Sequence, residues 1–279
     1  MSEFVRIECR GRDINIEYDL ISPQNSGPLV VFLHEGLGSL AMWRGFPRAL
    51  CEAVGCRGLV YSRLGYGRSS SLWPDRQWPI DFMHFEGREI LPRVLAALDI
   101  DAATDPPVLV GHSDGASIAL ICASTHPQQV SGIVAIAPHI MVEAVTVKSI
   151  ASISDEFLYG DLPHRLGKYH SDVQGVFWGW ATVWLRPQFL DWDIRPLLGS
   201  IKCPMLLIQG FDDQYGSMAQ IDGILAALPR TSALRLSHCA HSPHIDQAAA
   251  VTAAIGRFLL TIRPDIQMSI EGGVSTWQY

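Results

Sequence analysis

Short apolar runs alternate with amphipathic stretches along most of the chain. Val5–Ile7 and Ile14–Tyr18 flank Gly11-Arg12 and predict an opening hairpin. Leu29–Leu33, Gly58–Ser62, Val108–Val110, Ile133–Ala137, Met205–Gln209 and Ala233–Leu236 are short β-branched or apolar runs that predict buried strands. Between them, Phe46–Ala53, Ala116–Ala123 and Gln247–Thr261 have the composition of helices, and Asp81–Leu98 keeps helical spacing across an interruption at Pro92. Alternating strands and helices predict an α/β fold, a mostly parallel central sheet with helices on both faces. His34, Arg63, Ser113, Asp213 and His241 each fall just past a predicted strand. In such sheets ligands bind at the carboxyl ends of the strands, so these residues are expected to share one site.

The pattern changes between Pro138 and Pro204, where no strand is evident. Val142–Ile153 and Leu162–Tyr169 read as helical, and four of the eight tryptophans fall between positions 178 and 192. The reading is a helical cap, residues 141–199, inserted into a core made of residues 1–140 and 200–279. Trp178 and Trp184 are its expected contacts with substrate. The tail after Arg263 has no periodicity and reads as a surface extension.

Composition narrows the classes. With 48 % hydrophobic and 18 % charged residues in a 279-residue chain, a sizeable core can form and disorder is not expected. A net charge of −7 without a basic run argues against nucleic acid or an anionic membrane surface as partner. Residues 1–19 lack a continuous apolar segment, and no run approaches the roughly 18 apolar residues of a membrane span. The six cysteines are scattered with no C-x-x-C pair, which fits a cytoplasmic protein.

The chemistry centres on Gly111-His112-Ser113-Asp114-Gly115, with a predicted strand before it and a predicted helix after it. A serine on so tight a turn is exposed at a helix N-terminus, where backbone N–H groups hold developing negative charge. A serine hydroxyl needs a base, and the base needs an orienting acid. Asp212 and Asp213 compete for the acid, and His238, His241 and His244 for the base. Three histidines at that spacing also resemble metal ligands, but Pro243 separates the last two and no helix carries them, so no metal is expected. Gly65-x-Gly67-x-Ser69 lacks the G-x-G-x-x-G spacing of a nucleotide loop.

These pieces, with His34-Glu35-Gly36-Leu37-Gly38, Arg63-Leu64-Gly65-Tyr66-Gly67-Arg68-Ser69, Gly210-Phe211-Asp212-Asp213 and Cys239-Ala240-His241, resemble the α/β-hydrolase fold of the esterase, lactonase and C–C hydrolase group over about Leu29–Leu260. The resemblance implies Ser113 as nucleophile, Asp213 as acid and His241 as base, with Ala240 replacing the usual glycine. It implies an oxyanion hole from the N–H groups of Asp114 and Gly36, with Leu37 as the alternative to Gly36. Leu37 and His34 are then substrate contacts. Glu35 departs from the usual glycine and is expected to face outward or pair with an arginine, and Arg63 to form a structural ion pair or hold a substrate carboxylate. No cofactor is implied.

The expected activity is hydrolysis of a small or medium carboxylic ester or lactone through an acyl-enzyme, and a homodimer is compatible with it. The nearest rival is a C–C bond hydrolase of a vinylogous diketone acid. Such relatives carry asparagine before the serine and tryptophan after the base, where this chain has His112 and Ser242. Epoxide hydrolases and dehalogenases carry aspartate at the elbow. A rival of another class is a hydrolase-derived small-ligand receptor with little turnover.

Overall fold

The computed structural model describes residues 2–71 and 78–263. The chain opens with a hairpin, β1 (Glu3–Cys9) and β2 (Arg12–Ile21), turning at Arg10 and Gly11 with φ of 52° and 70°. β3 (Leu29–Leu33), α1 (Phe46–Val54) and β4 (Arg57–Tyr61) follow. The predicted helix at 81–98 divides into α2 (Phe82–Phe85), a π-helical turn at Glu86–Ile90 and α3 (Leu91–Ala97). Pro92 falls in the first turn of α3, where its missing N–H costs least. β5 (Val108–His112), α4 (Asp114–Thr125) and β6 (Gly132–Ile136) complete the first half.

Four helices separate β6 from the next strand: α5 (Ala144–Tyr159), α6 (Leu162–Leu166), α7 (Val173–Trp184) and α8 (Arg195–Leu198). An isolated antiparallel bridge, Met141 to Asp193, closes the base of this segment. The chain then forms β7 (Met205–Gly210), α9 (Ala219–Ala227), β8 (Ser232–Leu236), α10 (Pro243–Asp246) and α11 (Ala248–Ile262). The sequence pattern did not suggest α9, which carries Gly223 in its middle. The predicted tail lies outside the described residues.

The eight strands form one sheet in the order β1-β2-β4-β3-β5-β6-β7-β8. β1–β2 and β2–β4 are antiparallel and every other pair is parallel. β3, β5, β6 and β7 are buried along their whole length, as strands covered on both faces must be. Their side chains alternate between two cores. Leu29, Val31, Leu33, Leu109, Ile133 and Ala135 face one core with α3 and α4, and Val30, Phe32, Val108, Val110, Val134 and Ile136 face the other with α1 and α11. The first core continues into the helical segment through Val176, Phe177 and Trp184, so that segment is packed onto the sheet layer. The register pairs Leu33 with Gly111 and His112 with Ile136, which brings the carboxyl ends of the central strands to one level. Among the described residues no helix is long and apolar enough to cross a membrane.

Candidate active site

β5 hands over to α4 in a single residue. Ser113 takes φ 54° and ψ −120°, a region that side chains rarely adopt. Its N–H donates to Ile136 O at 2.9 Å, so the strained residue is pinned to β6. The flanking glycines are required by contact distance. A Cβ on Gly111 would lie 2.3 Å from Gly115 O, and one on Gly115 would lie 1.9 Å from Leu33 O. The turn thereby lifts the serine hydroxyl above the sheet at the start of α4. The Asp114 N–H is the first of that helix and has no acceptor within it.

The turn after β7 supplies the carboxylate. Asp213 accepts from Gln209 Nε2 at 2.7 Å, Tyr215 N at 2.7 Å and Gly216 N at 3.2 Å. Asp212 is exposed, with its N–H donating to Cys239 O. His241, in the loop after β8, places Nδ1 2.8 Å from both carboxylate oxygens of Asp213 and Nε2 2.9 Å from Ser113 Oγ. Burial pushes the Asp213 carboxyl up, but the hydrogen bond and charge of His241 outweigh it and hold it below its ordinary value. Burial lowers the His241 pKa, and contact with Asp213 offsets this only in part. A neutral His241 donating from Nδ1 leaves Nε2 free to accept from the serine. The other two histidines separate: His238 is exposed, while His244 is buried against Trp43, Phe46 and His112, its pKa pushed down to about 3 by burial. Among the described residues no group of three His, Cys, Asp or Glu side chains is arranged to hold a metal.

The loop after β3 forms the opposite wall. Gly36 and Leu37 line the cavity that holds Ser113. The Trp180 indole lies where a Gly36 side chain would go, since a Cβ there would meet Nε1 at 2.2 Å. His34, expected at the substrate, is instead fully buried beneath this loop. Its Nδ1 donates to Glu35 O at 2.8 Å and its Nε2 accepts from Arg63 N at 2.9 Å, so both ring nitrogens are committed to the main chain. Burial, followed by the Arg63 charge, keeps this ring neutral, its pKa well below the ordinary value.

Glu35 corrects a second expectation. Its side chain neither faces outward nor pairs with arginine; one carboxylate oxygen stands 3.5 Å from His112 Nδ1. His112 Nε2 donates to His241 O at 2.7 Å. Burial pushes the Glu35 carboxyl up, but His112 and His34 outweigh this and hold it well below the carboxylate range. Arg63 is structural. It is buried, donates from Nη2 to Glu35 O at 2.9 Å, stands 3.7 Å from Asp114 Oδ2 and lies over the Tyr66 ring.

The helical segment roofs the site. The cavity measures about 400 Å³, with Ser113 and His241 in its lining. Trp184 lines it, and so does Trp180, four residues earlier on the same face of α7. Both indoles favour the ionised form of Asp114, whose carboxyl burial pushes up to about 6 against the Arg63 charge. Trp178 lies off the cavity. It packs edge-on against Phe157 and Phe177 and donates to Gln174 Oε1 at 3.1 Å, because a residue two positions from Trp180 points to another side of the helix. The four-residue spacing of Trp180 and Trp184 was a usable signal for Trp180. His139 and Tyr215, which also line the cavity around His241, had no such signal, since each follows a strand at a distance only the fold makes short.

A family model described as alpha/beta hydrolase fold matches residues 28–195, and the chain belongs to that family. Epoxide hydrolase B of Mycobacterium tuberculosis is 36 % identical over 137 residues, which are 49 % of this chain and 36 % of that protein, so the match spans about a third of the relative's length. Among solved structures, a thermophilic esterase from Thermogutta terrifontis aligns with a TM-score of 0.71 at 17 % identity, over 94 % of this chain and 99 % of that one. The enol-lactonase from Burkholderia xenovorans LB400 aligns with a TM-score of 0.70 at 18 % identity, over 93 % and 100 % of the two chains. At such identities these structures speak to the fold.

Proposed function

We propose that this protein is a serine hydrolase acting on a small or medium carboxylic ester or lactone. The observation that carries the reading is the unbroken relay from Asp213 through His241 to Ser113 Oγ, at 2.8 and 2.9 Å, opening into the roofed cavity. In this reading Ser113 Oγ attacks the acyl carbon while His241 Nε2 takes its proton, and Asp213 fixes the imidazole tautomer and stabilises the imidazolium. The carbonyl electron pair moves onto oxygen, where the N–H groups of Asp114 and of Gly36 or Leu37 receive it. His241 then protonates the leaving alkoxide, and water repeats the sequence to release the acid. Every proton moves between side chains, substrate and water, so the cycle needs no cofactor.

The esterase and lactonase neighbours agree with this chemistry. The epoxide hydrolase relative points to a second reading, but Ser113 occupies the elbow where the aspartate nucleophile of such enzymes belongs. The deciding experiment is fluorophosphonate labelling, followed by turnover of p-nitrophenyl esters, lactones and styrene oxide. Labelling of Ser113 with ester turnover that Ser113→Ala abolishes is the expected result. Unlabelled protein, or full esterase activity in Ser113→Ala, would overturn the reading.

A further inference from the structure

We infer that the mouth of the cavity is a binding site for an anionic oxygen group, carboxylate or phosphate, carried by the substrate away from its scissile carbonyl. This names the substrate class for the serine hydrolase reading and rests on it. Three cations line the cavity: Arg44 from the loop before α1, Arg165 in the last turn of α6 and Lys168 just beyond it. All three side chains are exposed, and among the described residues none has a carboxylate partner. The chain as a whole is acidic, with 28 Asp and Glu against 21 Lys and Arg. Among the described residues two carboxylates line this cavity, Asp114 at 3.7 Å from the Arg63 guanidinium and Glu35 at 3.5 Å from His112. Three exposed cations without carboxylate partners in the lining of one cavity are therefore not a sample of the general surface.

The backbone at Arg44 is a second, independent sign. Arg44 takes φ 54° and ψ −135°, close to the values of Ser113. That conformation is comfortable only for glycine, and the next residue, Gly45, is one with open space around its α-carbon. The chain thus holds a long cationic side chain where a glycine would relax the fold. Arg44 comes from the core and Arg165 and Lys168 from the helical segment, so both layers contribute cations to the cavity lining. Ile150 and Ile153 from α5 and Leu162 and Leu166 from α6 add an apolar wall to the same cavity. The matching substrate has an apolar stretch ending in the anion, with the ester at Ser113.

The test uses two probe pairs. One is the mono-p-nitrophenyl ester of adipic acid against the ester of adipamic acid. The other is the p-nitrophenyl ester of 6-phosphooxyhexanoate against that of 6-hydroxyhexanoate. Turnover is measured in the wild type, and calorimetric affinity in Ser113→Ala, where binding is read without hydrolysis. At least one anionic probe is expected to exceed its neutral twin by about tenfold in kcat/KM and in affinity, the sum of several exposed ion pairs, and to lose that margin in high salt. The better arm identifies the anion. Arg165→Gln with Lys168→Gln is expected to bring the ratio close to one. Arg44→Gly is expected to lower the ratio while holding or raising Tm; a lower Tm would make Arg44 a structural residue and remove it from the site. Equal handling of both members of each pair, or a preference that survives loss of all three charges, overturns the inference. An anion preference in Ser113→Ala without wild-type turnover would keep the subsite and sink the hydrolase reading, and the reverse would do the opposite.

Discussion

Two imidazole–carboxylate pairs meet at His241, one on its ring and one on its main chain. Asp213 holds the ring, and three further donors hold Asp213, whose side chain is 1 % exposed. Glu35 stands 3.5 Å from His112, with 25 % of its side chain exposed, and His112 holds the His241 carbonyl. Both carboxylates are kept ionised by imidazoles against the cost of burial. What differs is the number of fixed donors. A carboxylate held on all sides cannot follow the ring, so it sets the ring's tautomer and angle. One whose imidazole contact is 3.5 Å long can shift, and it bears on His241 through its charge and through the His112 hydrogen bond to the His241 carbonyl. Two imidazole–carboxylate pairs beside the serine are therefore expected to differ in catalytic weight, because one relays a proton through its ring and the other only steadies the main chain.

The largest test of that contrast is Asp213→Asn. An amide presents the wrong hydrogen-bonding face to Nδ1, and kcat/KM is expected to fall by about 10³ to 10⁴-fold. In the wild type the acidic limb of the pH–rate profile should lie below the ordinary histidine value of 6.5, because burial lowers the His241 pKa. In the variant the Asp213 contribution is lost and only the Glu35 charge still opposes burial, so the limb should move lower still. A loss under tenfold would remove the distinction between the pairs.

Gly36→Ala moves the loop that carries Glu35 and leaves both pairs chemically intact. The added Cβ would lie 2.2 Å from Trp180 Nε1, so either the loop or the indole must shift. If Gly36 supplies an oxyanion donor, kcat should drop by about 10²-fold. Combining it with Trp180→Leu should recover part of the loss, and unchanged kcat in the single variant would assign the donor to Leu37.

Glu35→Gln removes a charge 3.5 Å from His112 and should cost at most about tenfold in kcat, roughly 1.4 kcal/mol, with KM little changed. A drop as deep as that of Asp213→Asn would make the two pairs equals.

The smallest effect concerns a buried carboxylate with no imidazole partner. Burial pushes Glu86 up to about 7, against the nearby Arg63 charge and the Tyr61 hydroxyl. The folded protein keeps a proton there that the unfolded chain releases near 4.5. This contribution to stability is complete below pH 4.5 and disappears as pH rises through 7, because the native state binds more protons across that interval. Glu86→Gln should flatten that part of the Tm–pH curve, and an unaltered slope would place the proton elsewhere.

Much of this site was legible in one dimension because its chemistry is local. The glycines around Ser113 are forced by contacts within a five-residue turn and the neighbouring strand, and a strand of apolar residues announces itself by content. The choice of Asp213 over Asp212 came from the family's motif, and the structure gives its physical ground, since only Asp213 turns inward onto three donors. Where the reading failed, a side chain's direction depended on packing between distant segments. His34 follows its strand as Ser113 does, yet the Arg63 turn, 29 positions away, captures its ring. Trp178 and Trp180 are indistinguishable by composition, and only the seating of α7 on the Gly36 loop decides which reaches the cavity.

The alternation of strands and helices, the tight serine turn and the residue types able to move a proton can all be read along the chain. Those follow from interactions within a few residues. Folding is needed to set His112 between Glu35 and the His241 carbonyl, to close Trp180 on Gly36 and to bring Arg44, Arg165 and Lys168 into one cavity lining. Each of these joins residues separated by dozens of positions, and their distances are set by the sheet register and by how the helical segment packs onto it.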